Sequence, residues 1–158
     1  MRLFVLAGGY GSRLSKVLKG TAKALAPVGN TPFLKIQLES WIDQGITEFT
    51  FLLHHHADQI VSFLESEKFN ILKKCDVIGV IENTPMGTGG AISNAIRELR
   101  FQGDFLIVNA DTWLGCGVLA LSDSASPSIA VVQVSDVGRY GQVEFNQSFQ
   151  VTRFLDIG

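Results

Sequence analysis

Cysteine is scarce in this chain. Cys75 and Cys116 are the only two among 158 residues, they lie far apart, and they form no C-x-x-C pair. That argues against a disulfide framework and leaves buried, reduced thiols in a cytoplasmic protein as the expectation. Positive charge is not in excess either. Thirteen Lys and Arg against fifteen Asp and Glu give a net charge of −2. Nucleic acid and anionic membrane are poor partners for such a balance, so any basic site must be local. Nothing approaches the roughly 20 apolar residues that span a bilayer. The apolar run at the N-terminus, Leu3–Ala7, is too short for a signal peptide. Internal repeats and low-complexity tracts are missing too. Hydrophobic side chains, by contrast, make up 46% of the chain. They support a substantial core in a single domain over residues 1–158.

The chain is organised around Leu6-Ala-Gly-Gly-Tyr-Gly-Ser-Arg-Leu14, with Lys23 a little further on. It follows an apolar run that reads as a buried first strand over residues 2–7. Gly8, Gly9 and Gly11 allow close backbone approach and positive φ at little cost. Successive N–H groups in such a turn form an anion-binding concavity. Arg13 and Lys23 add fixed positive charge, so a phosphate site is expected. It is not a P-loop, because Gly-Lys-Ser/Thr is absent. It is not a dinucleotide fingerprint either. Leu14 stands where the third glycine belongs, and the second strand ends in His54-His-His56 rather than an acid for a ribose.

Further along, strands and helices alternate. Thr31-Pro32 reads as a helix start, with Thr as N-cap and Pro at the first helical position. Leu34, Leu38, Trp41 and Ile42 follow at helical spacing, and Gly45 is a natural stop. A second strand, Ile46–Leu53, ends at the three histidines. Side chains alternate on a strand, so at most His54 and His56 converge, which is too few for zinc. A helix over Asp58–Glu67, a strand over Cys75–Ile81, a helix over Thr88–Arg100 and a strand over Asp104–Asn109 follow. Gly115–Leu121 reads as a short helix and Ser128–Val134 as another buried strand. A hairpin of Gln142–Phe145 with Phe149–Phe154 closes the chain. The alternation implies an α/β fold with right-handed crossovers and a largely parallel sheet. Asp111, just past a strand end, reads equally as a turn residue or as a ligand for a hard cation such as Mg²⁺.

Three stretches together resemble the sugar-1-phosphate nucleotidyltransferases: Gly8–Leu14 with Lys23 and Pro27-Val28, Glu82-Asn-Thr-Pro-Met-Gly-Thr-Gly-Gly90, and Val108-Asn-Ala-Asp111. The wording is most similar to guanylyltransferases acting on heptose 1-phosphate or mannose 1-phosphate. The resemblance spans essentially the whole chain. It implies a Rossmann-like three-layer α/β/α nucleotidyltransferase fold with a mostly parallel mixed sheet. It implies transfer of a nucleotide from a nucleoside triphosphate to a sugar 1-phosphate, with release of pyrophosphate. Arg13 and Lys23 are then catalytic, and Asp111 holds Mg²⁺ with a second Asp supplied much later in the chain. Leu6, Ala7, Gly8, Gly9, Gly11, Ser12, Glu82, Pro85, Gly87 and Thr88 contact the nucleotide, and Tyr140-Gly141 the sugar. A carboxylate at Glu82 complements the two adjacent donors of guanine, whereas uracil and thymine suit an amide better.

The chain also departs from that family. Ala22 and Ala24 replace the prolines that usually flank the motif lysine, so a less rigid segment is expected there. Asp156-Ile157 stands where Glu-Lys is usual, which puts one sugar-phosphate contact in doubt. The ending at Gly158 suggests a truncated enzyme-type domain, whose last sheet edge would be free to form homo-oligomers. A nucleotide-binding regulatory relative without turnover, and an enzyme using UTP, dTTP or CTP, are the competing readings.

Overall fold

The computed structural model describes residues 1–10, 20–138 and 140–155. They fall into two compact units, Met1–Ser126 and Pro127–Gly158. In the first unit, strands β1 (Arg2–Leu6), β4 (Glu48–Leu53), β5 (Asp76–Ile81) and β6 (Phe105–Asn109) form one sheet in the order β5-β4-β1-β6. Every pairing in it is parallel, with Leu6 level with Leu52 on one side and Asn109 on the other. A short antiparallel pair, β2 (Pro27–Val28) with β3 (Thr31–Pro32), lies between β1 and the first helix.

Alternation along β1 explains the three layers. Leu3 and Val5 join one apolar cluster with Leu34, Leu38 and Trp41 of α1 (Phe33–Asp43) and Ile60 and Leu64 of α2 (Ala57–Glu67). Phe4 points the other way, into a cluster with Leu52, Val80 and Ala91 and Ala95 of α3 (Gly87–Leu99). Successive strand residues face opposite sides, so a strand apolar at every position is covered by helices on both faces. The Phe4 ring is fully buried and stacks on Phe105 at 4.7 Å between centroids. At the lower edge, Arg2 pairs with Asp76 and donates to Thr50 Oγ1 at 3.2 Å, tying β1 across β4 to β5.

Several sequence expectations need correction. The first helix begins at Phe33, because Thr31 and Pro32 are taken into the pairing with Val28 and Pro27. Pro32 is its N-cap and no side chain caps it. Its end is as expected: Gly45 N–H donates to Ile42 C=O at 2.8 Å and Ile46 N–H to Trp41 C=O at 3.0 Å. Between β1 and α1 the chain also holds a turn of 3₁₀ helix, Lys23–Leu25. Cys75 is half-buried, which pushes its thiol up, but Cys116 is exposed, against the expectation of two buried thiols.

The remaining helix of the first unit, α4 (Val118–Ser122), is a single short turn. In the second unit, β7 (Gln142–Phe145) and β8 (Val151–Leu155) form the expected hairpin. Asn146 holds its turn by accepting the N–H groups of Ser148 and Gln150 on one side-chain oxygen. Ser128–Val134 is not a strand, and Ile129, Val131 and Val132 are exposed. An apolar run becomes a strand only where a second strand pairs with it, and none does so among the described residues. No helix among the described residues is long and apolar enough to cross a membrane.

Candidate active site

The carboxyl ends of all four parallel strands open on one hollow of about 400 Å³. Ligands of open α/β sheets bind there, where the strand order reverses; here the reversal is at β1, between β4 and β6. Leu6, Ala7, Gly8 and Gly9 bring the end of β1 into the wall. Gly8 lies close against its neighbour across the sheet. A Cβ built on it would lie 3.1 Å from both the Cβ and the backbone nitrogen of His54. A Cβ at Gly9 meets nothing within 4 Å among the described residues.

Lys23 begins the 3₁₀ turn and lines the hollow between the buried Ala22 and Ala24. Gln59 of α2 fastens the approach to it. Ala22 N–H donates to Gln59 Oε1 at 2.8 Å, and Gln59 Nε2 donates to Gly20 C=O at 2.8 Å.

Asp111 reaches the hollow from the other side. Ala110 N–H donates to Leu6 C=O at 3.0 Å, carrying the ladder one residue past β6. Ala110 C=O accepts Gln37 Nε2 at 2.7 Å from the fully buried side chain of Gln37, whose Oε1 has no partner among the described residues. The chain thus leaves β6 in a fixed direction, and the Asp111 carboxylate forms an ion pair with Lys23 Nζ. It accepts no backbone N–H among the described residues, as a turn residue would.

The opposite wall is the turn between β5 and α3. Glu82 is largely buried, and its Oε2 accepts Met86 N–H at 3.1 Å. Its own carbonyl accepts His54 Nδ1–H at 2.9 Å. That bond fixes the proton on Nδ1 and turns Nε2 toward the Tyr10 hydroxyl at 3.3 Å. Pro85, Gly87 and Thr88 complete this wall, with Gly87 at φ +68° where α3 begins. No side chain among the described residues caps α3. Its free first-turn N–H groups and dipole favour an anion nearby.

The expected site residues Leu6, Ala7, Gly8, Gly9, Lys23, Glu82, Pro85, Gly87, Thr88 and Asp111 therefore surround one hollow. Gly11, Ser12 and Arg13 lie outside the described residues. Tyr140 and Gly141 belong to the second unit, where the Tyr140 ring is exposed. Of the three histidines at the end of β4, His54 and His55 line the hollow. Strand alternation stops at Leu53, and His56 takes a left-handed conformation (φ 55°) as the N-cap of α2. Tyr10, Gln37, Asn109 and Gln59 were missed. Asn109 stood in the motif that carries Asp111. The partners of the two glutamines lie far off in sequence, so nothing in the sequence marks them.

As a metal site, the hollow offers the carboxylate of Asp111. No group of three or more His, Cys, Asp or Glu converges among the described residues. A lone carboxylate beside a phosphate-sized space fits Mg²⁺, which keeps waters and shares phosphate oxygens, and does not fit zinc.

The chain is similar to known proteins along nearly its whole length. Residues 3–156 match the family described as nucleotidyl transferase. The chain is 30% identical to the D-glycero-alpha-D-manno-heptose 1-phosphate guanylyltransferase of Campylobacter jejuni, over 98% of this chain and 67% of that protein. It is 26% identical to the mannose-1-phosphate guanylyltransferase catalytic subunit beta of Drosophila melanogaster, over 98% of this chain and 43% of that one. Among solved structures, HddC from Yersinia pseudotuberculosis complexed with GMP-PN superposes with a TM-score of 0.83 at 32% identity, over 99% of this chain and 69% of HddC.

Proposed function

The chain belongs to the nucleotidyl transferase family, and on that premise we propose that it transfers a guanylyl group from GTP to a heptose- or mannose-type sugar 1-phosphate. The product is a nucleotide-sugar for surface polysaccharide synthesis in the cytoplasm. One observation carries the reading. Lys23 and Asp111, 88 residues apart, meet at the edge of the hollow that the glycine turn and the Glu82 turn enclose.

In the reaction an oxygen of the sugar phosphate forms a bond to the α-phosphorus of GTP. The bond from that phosphorus to its β-bridging oxygen breaks, and pyrophosphate leaves. No side chain needs to be a nucleophile, because such transfers ask mainly for positioning and charge stabilisation. Lys23 supplies positive charge to the phosphates as they pass the transition state. Arg13 is assigned the triphosphate by its place in the glycine motif. Asp111 is the residue that would hold Mg²⁺, which neutralises phosphate charge when bound. Glu82 offers acceptors to guanine N1–H and N2–H₂, with Met86 N–H fixing the carboxylate's orientation. Guanine is further supported by the guanine nucleotide named in the HddC complex. Tyr140 and Gly141 are assigned to the sugar.

The test is pyrophosphate release from nucleoside triphosphate plus sugar 1-phosphate. We expect turnover with GTP well above that with UTP, dTTP or CTP. Nucleotide binding with no pyrophosphate release would overturn the reading in favour of a regulatory module.

A further inference from the structure

We propose that Gln59 is a positioning residue for Lys23, clamping the backbone that leads into the turn where that lysine sits. The inference rests on the reading of Lys23 as catalytic. Three observations lead to it.

The first is chemical. Proline has no N–H, so a proline at position 22 could give no hydrogen bond. Alanine restores that donor, and the structure uses it: Ala22 N–H donates to Gln59 Oε1 at 2.8 Å. The second is that the same amide closes a second bond, Nε2 to Gly20 C=O at 2.8 Å. Acceptor and donor of one side chain therefore hold the backbone on both sides of Thr21. This clamps the chain just before the turn that begins at Lys23. The third is conformational. Ala22 adopts φ −55° and ψ 132°, which a proline ring tolerates without change. The backbone thus keeps a proline-compatible geometry with no ring to enforce it. What enforces it is a side chain from α2, which also contacts His56 Nδ1 at 3.2 Å.

Beyond the clamp, Leu25 N–H donates to Ala22 C=O and Ala26 N–H to Lys23 C=O. The position of Lys23 Nζ against Asp111 follows from this short turn. Small misplacements of a charged group at a phosphoryl centre cost rate out of proportion to their size.

The test uses Gln59→Ala, Ala22→Pro and their combination. Gln59 lies in the first turn of α2, where alanine is the best helix former, so the single variant should fold. Gln59→Ala is expected to lower kcat about tenfold or more, to leave the KM for GTP within about threefold, and to speed amide exchange at Leu25 and Ala26. Adding Ala22→Pro should restore both kcat and exchange protection, because the ring replaces the missing clamp. A merely structural glutamine would not be rescued by a proline that makes no contact with it. Unchanged kcat and exchange in Gln59→Ala, or a double variant no better than the single one, overturns the proposal. If the parent chain shows no turnover, the functional reading fails on its own. Amide exchange still decides whether Gln59 holds the turn.

Discussion

Glu82 and Lys23 stand on opposite walls of the hollow and ask for different measurements. Glu82 is largely buried, and one of its oxygens is already bonded to Met86 N–H. Glu82→Gln keeps the shape and replaces one acceptor with a donor. It should reduce the preference for GTP over UTP by about tenfold or more, since a site built to pair polar groups rejects a mismatched partner strongly. Unchanged preference in competition assays would remove Glu82 from base recognition. Lys23→Ala should lower turnover by roughly 10²–10³-fold with little change in melting temperature, because the lysine side chain is over a third exposed. Gly8→Ala should act through stability instead. The added methyl would press on the backbone of His54 at 3.1 Å, and overpacking of this kind costs about 1–3 kcal/mol. Denaturant unfolding would measure it.

At the level of elements, helix α3 offers a paired test within two adjacent residues. A Cβ at Gly89 meets nothing within 4 Å, whereas one at Gly90 would lie 2.7 Å from the Cβ of Met86. Helix propensity favours alanine over glycine by up to about 1 kcal/mol at either place. Gly89→Ala is therefore expected to stabilise by about 0.4–1 kcal/mol. Gly90→Ala should destabilise, because the clash exceeds that gain and falls on the residue whose N–H orients Glu82. Equal effects in thermal melts would refute the assignment. The main elements were readable beforehand because their signals are local: unbroken apolar strands, Leu34, Leu38 and Trp41 at helical spacing, motifs at strand ends. Ser128–Val134 misled for the complementary reason. Its apolar run looks like a strand, but pairing depends on residues elsewhere in the chain. Thr31-Pro32 misled in the same way, its capping chemistry giving way to pairing with Pro27-Val28. Gln37 and Gln59 were invisible because a glutamine's value here lies entirely in which distant carbonyl or N–H it meets.

Taken whole, the first unit is a parallel sheet clad on both faces, with Lys23, Glu82 and Asp111 gathered at the carboxyl end of its strands. A ligand that binds only the folded chain raises its stability by mass action. GTP with Mg²⁺ at a hundred times its Kd should add about 2.7 kcal/mol, or roughly 5–10 °C in melting temperature for a chain of this size. GTP with chelator should give much less, and so should Asp111→Asn with both present. Equal shifts with and without the ion would contradict the role given to Asp111. The ion pair across the cleft sharpens this expectation. Lys23 and Asp111 cancel each other's charge, so this pair by itself offers little net field to whatever diffuses past. A bare triphosphate that claims the lysine strands the carboxylate beside its own negative oxygens. One that arrives already chelating a divalent ion exchanges a single internal pair for two external ones. On the function proposed above, the cleft so arranged discriminates by counter-ion before any atom of the base is read.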